Sequence, residues 1–188
     1  MTALIESLVA QRQRPLQQRY LAHPREAWIH DHGRAFQGHG RDPFHGEVEA
    51  DSNASTPWAF GIHRAVGGDH DAPNPGDLLA CALAACLQST TRMVAEWLEM
   101  ELAALEVDVS AYADVRGTLR VDSAVPVGFQ RLDVRVTGRV VAGHQDARSL
   151  QRLVSSAEAC CVVMQTLNPG TDVRTDWCLN QPGPQAAG

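Results

Sequence analysis

The longest apolar stretch of the chain runs from Leu78 to Leu87 and contains no charged residue. A helix over this stretch is apolar on every face, which predicts burial on nearly all sides. Asn74 is a favourable capping residue, Pro75 suits the first helical position and Asp77 suits the first turn. We therefore predict a buried helix from Pro75 to about residue 100. Because a chain of 188 residues can hardly cover such a helix alone, we expect a second copy to pack against it.

A second long helix is predicted from about Asp146 to Leu167, where apolar residues recur at helical spacing. The sequence Asn168-Pro169-Gly170 then ends it. Cys161 is therefore expected inside a continuous helix. The apolar positions are Leu150, Leu153, Val154, Ala157, Cys161 and Met164.

Alternating apolar and polar residues predict strands at 105–109 and 132–136. Shorter alternating segments predict two strands between Gly46 and Val66, joined by an irregular turn, and a last strand is expected at 172–177. Strands that lie between two long helices indicate an α+β fold, with antiparallel sheets packed around the two helices.

The N-terminal part has weaker patterning. Residues 1–22 predict a helix that Pro15 should interrupt, and residues 23–45, rich in His, Gly, Asp and Arg, are interpreted as loop. We therefore divide the chain into an extension of helix and loop at residues 1–45, a main domain at residues 46–180, and a flexible tail at residues 181–188.

Charge and composition narrow the range of functions that this chain could have. The net charge of −6 and the pI near 5.7 argue against a nucleic-acid partner. No apolar run reaches the roughly 18 residues of a membrane span, and no signal peptide is recognisable, so we expect a cytoplasmic protein without a membrane partner. In a reducing compartment the five cysteines are then structural, metal-binding or reactive thiols rather than disulfide staples.

Two of these thiols, Cys86 and Cys161, lie in the two predicted long helices, which can approach to about 8–10 Å between their axes. If the two thiols meet, one can attack a peroxide and the other can condense with the resulting sulfenic acid to a disulfide, which an external thiol reduces. The apolar surroundings of Cys86 would favour an organic hydroperoxide. Cysteine is also a common core-filling residue. From the residues alone, a reactive role and a core-filling role are equally supported for Cys86 and Cys161. Filling is the preferred interpretation for Cys81, Cys160 and Cys178.

Metal binding is a further possibility. His30, His32, His39 and His45 lie in one stretch with Asp31 and Asp42, but neither CxxC nor His-Glu-x-x-His spacing occurs. Histidine-rich loops are commonly just solvated. We expect no metal, and no cofactor, because phosphate-loop and Gly-x-Gly-x-x-Gly motifs do not occur.

Two segments resemble one known family. Asn74-Pro75-Gly76-Asp77-Leu78-Leu79 through Ala84-Ala85-Cys86, and Ala157-Glu158-Ala159-Cys160-Cys161-Val162-Val163 through Thr166-Leu167, are similar to the two cysteine motifs of osmotically induced protein C (OsmC) and organic hydroperoxide resistance protein (Ohr). The resemblance covers about residues 46–177. It departs at Val162, where the family usually has Pro, and at Gly76, where the hydroperoxide-resistance branch has Glu. Asp77 could stand in for that Glu, although a helix-start role is the preferred interpretation.

The resemblance implies an OsmC-like fold and an intertwined homodimer with two sites at the subunit interface. It also implies a thiol-dependent peroxidase for organic hydroperoxides, with Cys86 as the peroxidatic and Cys161 as the resolving cysteine. The family holds its thiolate with an arginine, for which Arg41 is the best match and Arg34 and Arg64 are rivals. The alternative is an OsmC-like protein that binds a hydrophobic ligand without turnover.

Overall fold

The computed structural model describes residues 7–37, 42–51 and 56–170. Antiparallel strands and long helices alternate along these residues, which confirms the predicted α+β class. The elements are α1 (Leu8–Ala22), β1 (Gly33–Gln37), β2 (His45–Ala50), β3 (Trp58–Gly61), α2 (Pro75–Trp97), β4 (Glu101–Tyr112), α3 (Val115–Thr118), β5 (Arg131–Ala142), α4 (Ala147–Cys160) and α5 (Val162–Leu167).

The strands form two separate antiparallel sheets. One has the order β1-β2-β3, and the other is the long hairpin of β4 and β5, each of 12 residues. Alternate residues of the hairpin, such as Val107, Val109, Leu132 and Val134, pack against the helices, as strand periodicity requires. The hairpin therefore forms one layer, and α2, α4 and α5 form the layer that carries the described cysteines.

The start of α2 agrees with the sequence in detail. The side chain of Asn74 accepts hydrogen bonds from the amides of Gly76 at 2.8 Å and Asp77 at 3.3 Å. The carboxylate of Asp77 accepts one from the amide of Asn74 at 2.9 Å, which completes a capping box. The preferred role of Asp77 as a helix-start residue is thereby confirmed.

Burial of α2 on nearly all sides is not found within the single chain. One face is buried, through Leu83, Leu87 and Ala95 among others, whereas Cys81 and Ala85 are exposed. Within one chain the hairpin, α4 and α5 cover only one side of the helix, which is what the sequence led us to expect of a single copy. Coverage by a second copy stays a prediction.

By length and mean hydropathy, α2 is also the one helix among the described residues that could cross a membrane. Core helices meet the same criterion, and α2 packs against β4, α4 and α5.

The predicted second helix is wrong in one respect, because it is broken at Cys161. Helix α4 ends at Cys160, Cys161 has the extended conformation with φ −77° and ψ 102°, and α5 begins at Val162. Apolar spacing continues through both pieces, so periodicity could not reveal a break of one residue.

Two N-terminal predictions also need correction. Helix α1 continues through Pro15, because proline removes only one backbone donor and the helix is held against α2 by the bond from Trp97 Nε1 to Gln13 Oε1. The segment interpreted as loop contains β1, which is mostly exposed and so lacks an apolar alternation. It pairs with β2 across the proposed limit between residues 45 and 46. That division of the chain stays a prediction, and the expected strand at 172–177 and the tail lie outside the described residues.

Candidate redox site at the break between α4 and α5

The structure brings the two predicted cysteines together. Cys86 lies on α2, half-buried, and Cys161 at the helix break has no exposed surface. Both pack with Leu83, Leu87 and Ala157 in the same core cluster. Their thiols are hydrogen-bond partners, with Cys161 donating to the sulfur of Cys86. Two side chains 75 positions apart in the sequence thus form one site.

The break in the helix supplies the polar surroundings of this site. The first amides of a helix have no partner within it. Because Cys161 is extended and α5 starts directly after it, the amides of Val162 and Val163 are free to donate to Cys86. The hydroxyl of Thr90, one turn after Cys86 on α2, is a further hydrogen-bond partner.

These contacts decide the acidity of Cys86. Burial, the largest single influence, would raise the pKa of this thiol. The hydrogen bonds from Val163, Cys161, Thr90 and Val162 together outweigh burial, and the pKa of Cys86 lies below its ordinary value. A half-buried thiol becomes reactive only beside a cation or oriented donors, and the structure provides donors to Cys86.

The pKa of Cys161 is shifted in the opposite direction, above its ordinary value. Burial raises the pKa of Cys161, the amide of Met164 partly offsets this, and the neighbouring Cys86 raises it further. The pair is therefore asymmetric, and the Cys86 thiol loses its proton more readily than the Cys161 thiol.

The donors to Cys86 were missed at the level of the sequence. A hydroxyl residue four positions after a cysteine on a helix faces the same side, so Thr90 had a usable signal. The amides of Val162 and Val163 had none, because they depend on the break. The departure from the family motif at Val162 matters here, since proline has no amide hydrogen to donate.

Neither of the other two described cysteines takes part in the pair. Cys81 and Cys160 are both exposed in the single chain, so the interpretation as core filler is wrong for them. For Cys81 the reason is angular, because two residues place it about 160° around α2 from the buried Leu83. Cys178 lies outside the described residues.

Of the three candidate arginines, Arg41 lies outside the described residues, and its role is still a prediction. Arg34 on β1 donates to the carboxylate of Glu49, a residue that is only 7% exposed. Arg64 donates to the carbonyl oxygen of Asp69 at 3.3 Å. Both described arginines are thus engaged elsewhere, Arg34 within the N-terminal sheet and Arg64 in the connection from β3 to α2.

Packing accounts for the glycine at position 76 of this chain. A Cβ at this position would lie 2.9 Å from the ring of Phe129, in the loop between β4 and β5. That distance is below any real contact, so a longer residue such as Glu would have to displace the ring.

Two histidines of the histidine-rich stretch are hydrogen-bonded to carboxylates. His45 lies between the carboxylates of Asp42 and Asp71, and His32 bonds to Asp51 at 2.8 Å. Within the part of the chain that the structure describes, no group of three or more His, Cys, Asp or Glu side chains is placed to hold a metal ion.

A cavity of about 210 Å³ lies between the β4–β5 hairpin and α4, with an apolar lining that includes Leu105, Val136 and Leu153. Leu87 and Ala157 separate it from the thiol pair, because both belong to its wall and to the core cluster.

The model of the OsmC-like protein family matches residues 68–176, which is more than half of the chain. The chain belongs to the OsmC-like family. The match includes α2, the hairpin, α4 and α5, so both thiols lie within the family region, whereas α1 and the sheet of β1, β2 and β3 lie before it. No curated protein matches this OsmC-like chain.

Solved structures agree with this OsmC-like fold at low identity. A protein from Legionella pneumophila described as an organic hydroperoxide resistance protein OsmC is 23% identical, with a TM-score of 0.55 over 79% of this chain and 96% of that one. An OsmC-like protein of unknown function from Vibrio cholerae is 9% identical, with a TM-score of 0.62 over 75% and 95%. One from Mycoplasma pneumoniae is 11% identical, with a TM-score of 0.58 over 74% and 87%.

Proposed function

We propose that this OsmC-like protein is a thiol-dependent peroxidase that reduces organic hydroperoxides. The observation that carries the proposal is the contact between a half-buried Cys86 of lowered pKa and a fully buried Cys161 of raised pKa. A nucleophile and a protonated partner within hydrogen-bond reach are what peroxide reduction by two thiols needs.

The reaction has three steps. The Cys86 thiolate attacks the distal oxygen of the hydroperoxide, the O–O bond breaks, and an alcohol leaves after taking a proton. The resulting sulfenic acid condenses with the Cys161 thiol, which forms the disulfide and releases water. Two equivalents of an external thiol then reduce the disulfide by thiol exchange and leave as their own disulfide.

An organic substrate is favoured by the surroundings of Cys86, which packs against Leu83 and Leu87 and can bury an apolar tail beside them. The Legionella structure, described as an organic hydroperoxide resistance protein, supports the same substrate class. The reduced thiols and the external thiol reductant fit a cytoplasmic location.

The proposed assembly is the intertwined homodimer. The exposed face of α2, with Cys81, Ala82 and Ala85, offers a surface of small residues for a second copy. The sheet of β1, β2 and β3 supports the same assembly, because its extensive contacts among the described residues are within itself. In this proposal Arg41, in the connection between β1 and β2, holds the thiolate.

A second candidate is binding of a hydrophobic ligand without turnover. The apolar cavity of about 210 Å³ beside the core cluster favours it. Under this alternative the thiols would only line the core.

The test adds one equivalent of cumene hydroperoxide to the fully reduced protein, followed by thiol counting and disulfide mapping by peptide mass. We expect loss of two thiols within seconds and a Cys86–Cys161 linkage, with Cys86→Ser abolishing both and Cys81→Ser leaving both unchanged. Slow oxidation spread over all cysteines would reject the peroxidase and favour the ligand-binding alternative.

A further inference from the structure

A groove of about 520 Å³ lies between α1, α2 and α4, and its α4 residues differ from those that line the cavity beside the β4–β5 hairpin. The thiol pair does not use this groove. Its lining includes Gln17, Met93, Trp97, Arg152, Ser156 and Cys160.

One wall of the groove is a polar stripe on α4. Arg152, Ser156 and Cys160 follow at intervals of four, so they lie along one face of the helix. Cys160 is exposed, and among the described residues the guanidinium of Arg152 has neither an ion pair nor a hydrogen bond. Eight residues of helix separate the cation from the thiol by about 12 Å along the axis.

The opposite wall is apolar and fixed in place. Trp97 donates from Nε1 to Gln13 Oε1 at 2.5 Å, and the amide of the same glutamine contacts Met93 Sδ at 3.4 Å. Arg14 lies over the Trp97 ring, 5.6 Å from its centre. Helix α1 contributes Gln13 and Gln17 to the lining, and it lies before the family region of residues 68–176.

We propose that Cys160 is a second thiol-exchange site, which takes small disulfides that carry a carboxylate. The carboxylate binds Arg152, the body of the ligand lies against Met93 and Trp97, and one sulfur reaches Cys160. The thiolate of Cys160 attacks that sulfur, the S–S bond of the ligand breaks, and the other half leaves as a thiolate. Cys160 is oxidised to a mixed disulfide, and the departing half is reduced.

This site is separate from the thiol pair but adjoins it. Thr90 lines the groove and is also a hydrogen-bond partner of Cys86. A group carried on Cys160 would therefore be separated from the redox pair by a single side chain. The exchange needs no peroxide, so it does not depend on the proposed peroxidase activity.

The experiment treats the reduced, full-length protein with glutathione disulfide as the probe and follows each cysteine by peptide mass. We expect Cys160 to be modified several-fold faster in the folded protein than in the urea-unfolded protein, where the groove is absent. Arg152→Gln should slow modification of Cys160 about two- to fivefold, the size of an exposed charge interaction. Arg148→Gln, one turn earlier on the same helix, is the matched control and should have no effect.

A neutral probe isolates the role of charge. With 2-hydroxyethyl disulfide, Arg152→Gln should leave the rate at Cys160 unchanged. Equal modification of Cys160 in the folded and the unfolded protein, or an equal effect of Arg152→Gln on both probes, would overturn the proposal. Circular dichroism of each variant confirms that it is folded, and failure of the peroxide test would leave these expectations intact.

Discussion

Two regions of the molecule hold a titratable side chain between hydrogen-bond partners, and they do so in opposite environments. In the core, Cys86 lies among the amides of α5, Thr90 and Cys161. On the surface, His45 lies between Asp42 and Asp71. Its pKa is raised to about 9, mainly by the hydrogen bond to Asp42 and next by the one to Asp71. Water competes for every partner of His45 but is largely excluded from Cys161. We therefore expect the hydrogen bonds around Cys86 to have a large effect on its reactivity. The hydrogen bonds around His45 should contribute little to stability.

The largest expected effect is the loss of core packing around the thiols. Leu87 is 3% exposed, and Leu87→Ala should lower the free energy of unfolding by about 2–5 kcal/mol, because it removes buried methyl groups and leaves a cavity. Urea denaturation measures this change. Leu150→Ala, at a residue that is 38% exposed, is the control and should cost clearly less. Equal losses would mean that the core is not where the structure has it.

The second effect concerns reactivity. Thr90→Val removes a hydroxyl donor from Cys86, so the pKa of Cys86 should rise and its alkylation by iodoacetamide near neutral pH should slow about two- to tenfold. The profile of rate against pH should move to higher pH. Thr91→Val is the matched control, because the Thr91 hydroxyl donates to the carbonyl oxygen of Leu87 at 2.7 Å. A slower Cys86 in both variants would point to a general packing defect.

A smaller change in the same direction is expected from Val162→Pro. Proline suits the first position of α5, and the extended backbone of Cys161 is the one favoured before proline, so the fold should tolerate it. The substitution deletes one amide donor to Cys86 and should slow its alkylation about twofold. Val162→Ala keeps the amide and should react normally. An unchanged alkylation rate in the proline variant would show that the Val162 amide does not donate to Cys86.

The smallest effect belongs to His45. Its folded pKa is raised, so its stabilising contribution is complete below the unfolded value of about 6.5 and disappears as the pH rises through about 9. Asp42 and Asp71 have lowered pKa values, so their contributions fade instead as the pH falls below about 4.

His45→Gln should therefore lower the melting temperature slightly near pH 6 and leave it unchanged near pH 10, as measured by thermal unfolding. His144→Gln, at an exposed histidine, is the control. A decrease that persists near pH 10 would show that His45 acts through packing rather than charge.

The helix start at Asn74 and the hairpin strands could be predicted from the sequence, because a capping box and strand alternation are local signals. The strand β1 and the continuity of α1 through Pro15 could not. An exposed edge strand has no buried face to impose alternation, and α1 is held by contacts with α2 that lie far away in the sequence.

The sequence by itself determined which residues carry thiols, that the most apolar helix contains one of them, and that two motifs resemble those of one family. The tertiary structure alone decided that Cys86 and Cys161 meet, that Cys160 faces a separate groove, and that donors rather than a described cation surround Cys86. The physical reason is the single extended residue between α4 and α5. It redirects two amides and separates two adjacent thiols, and no periodicity in the chain encodes it.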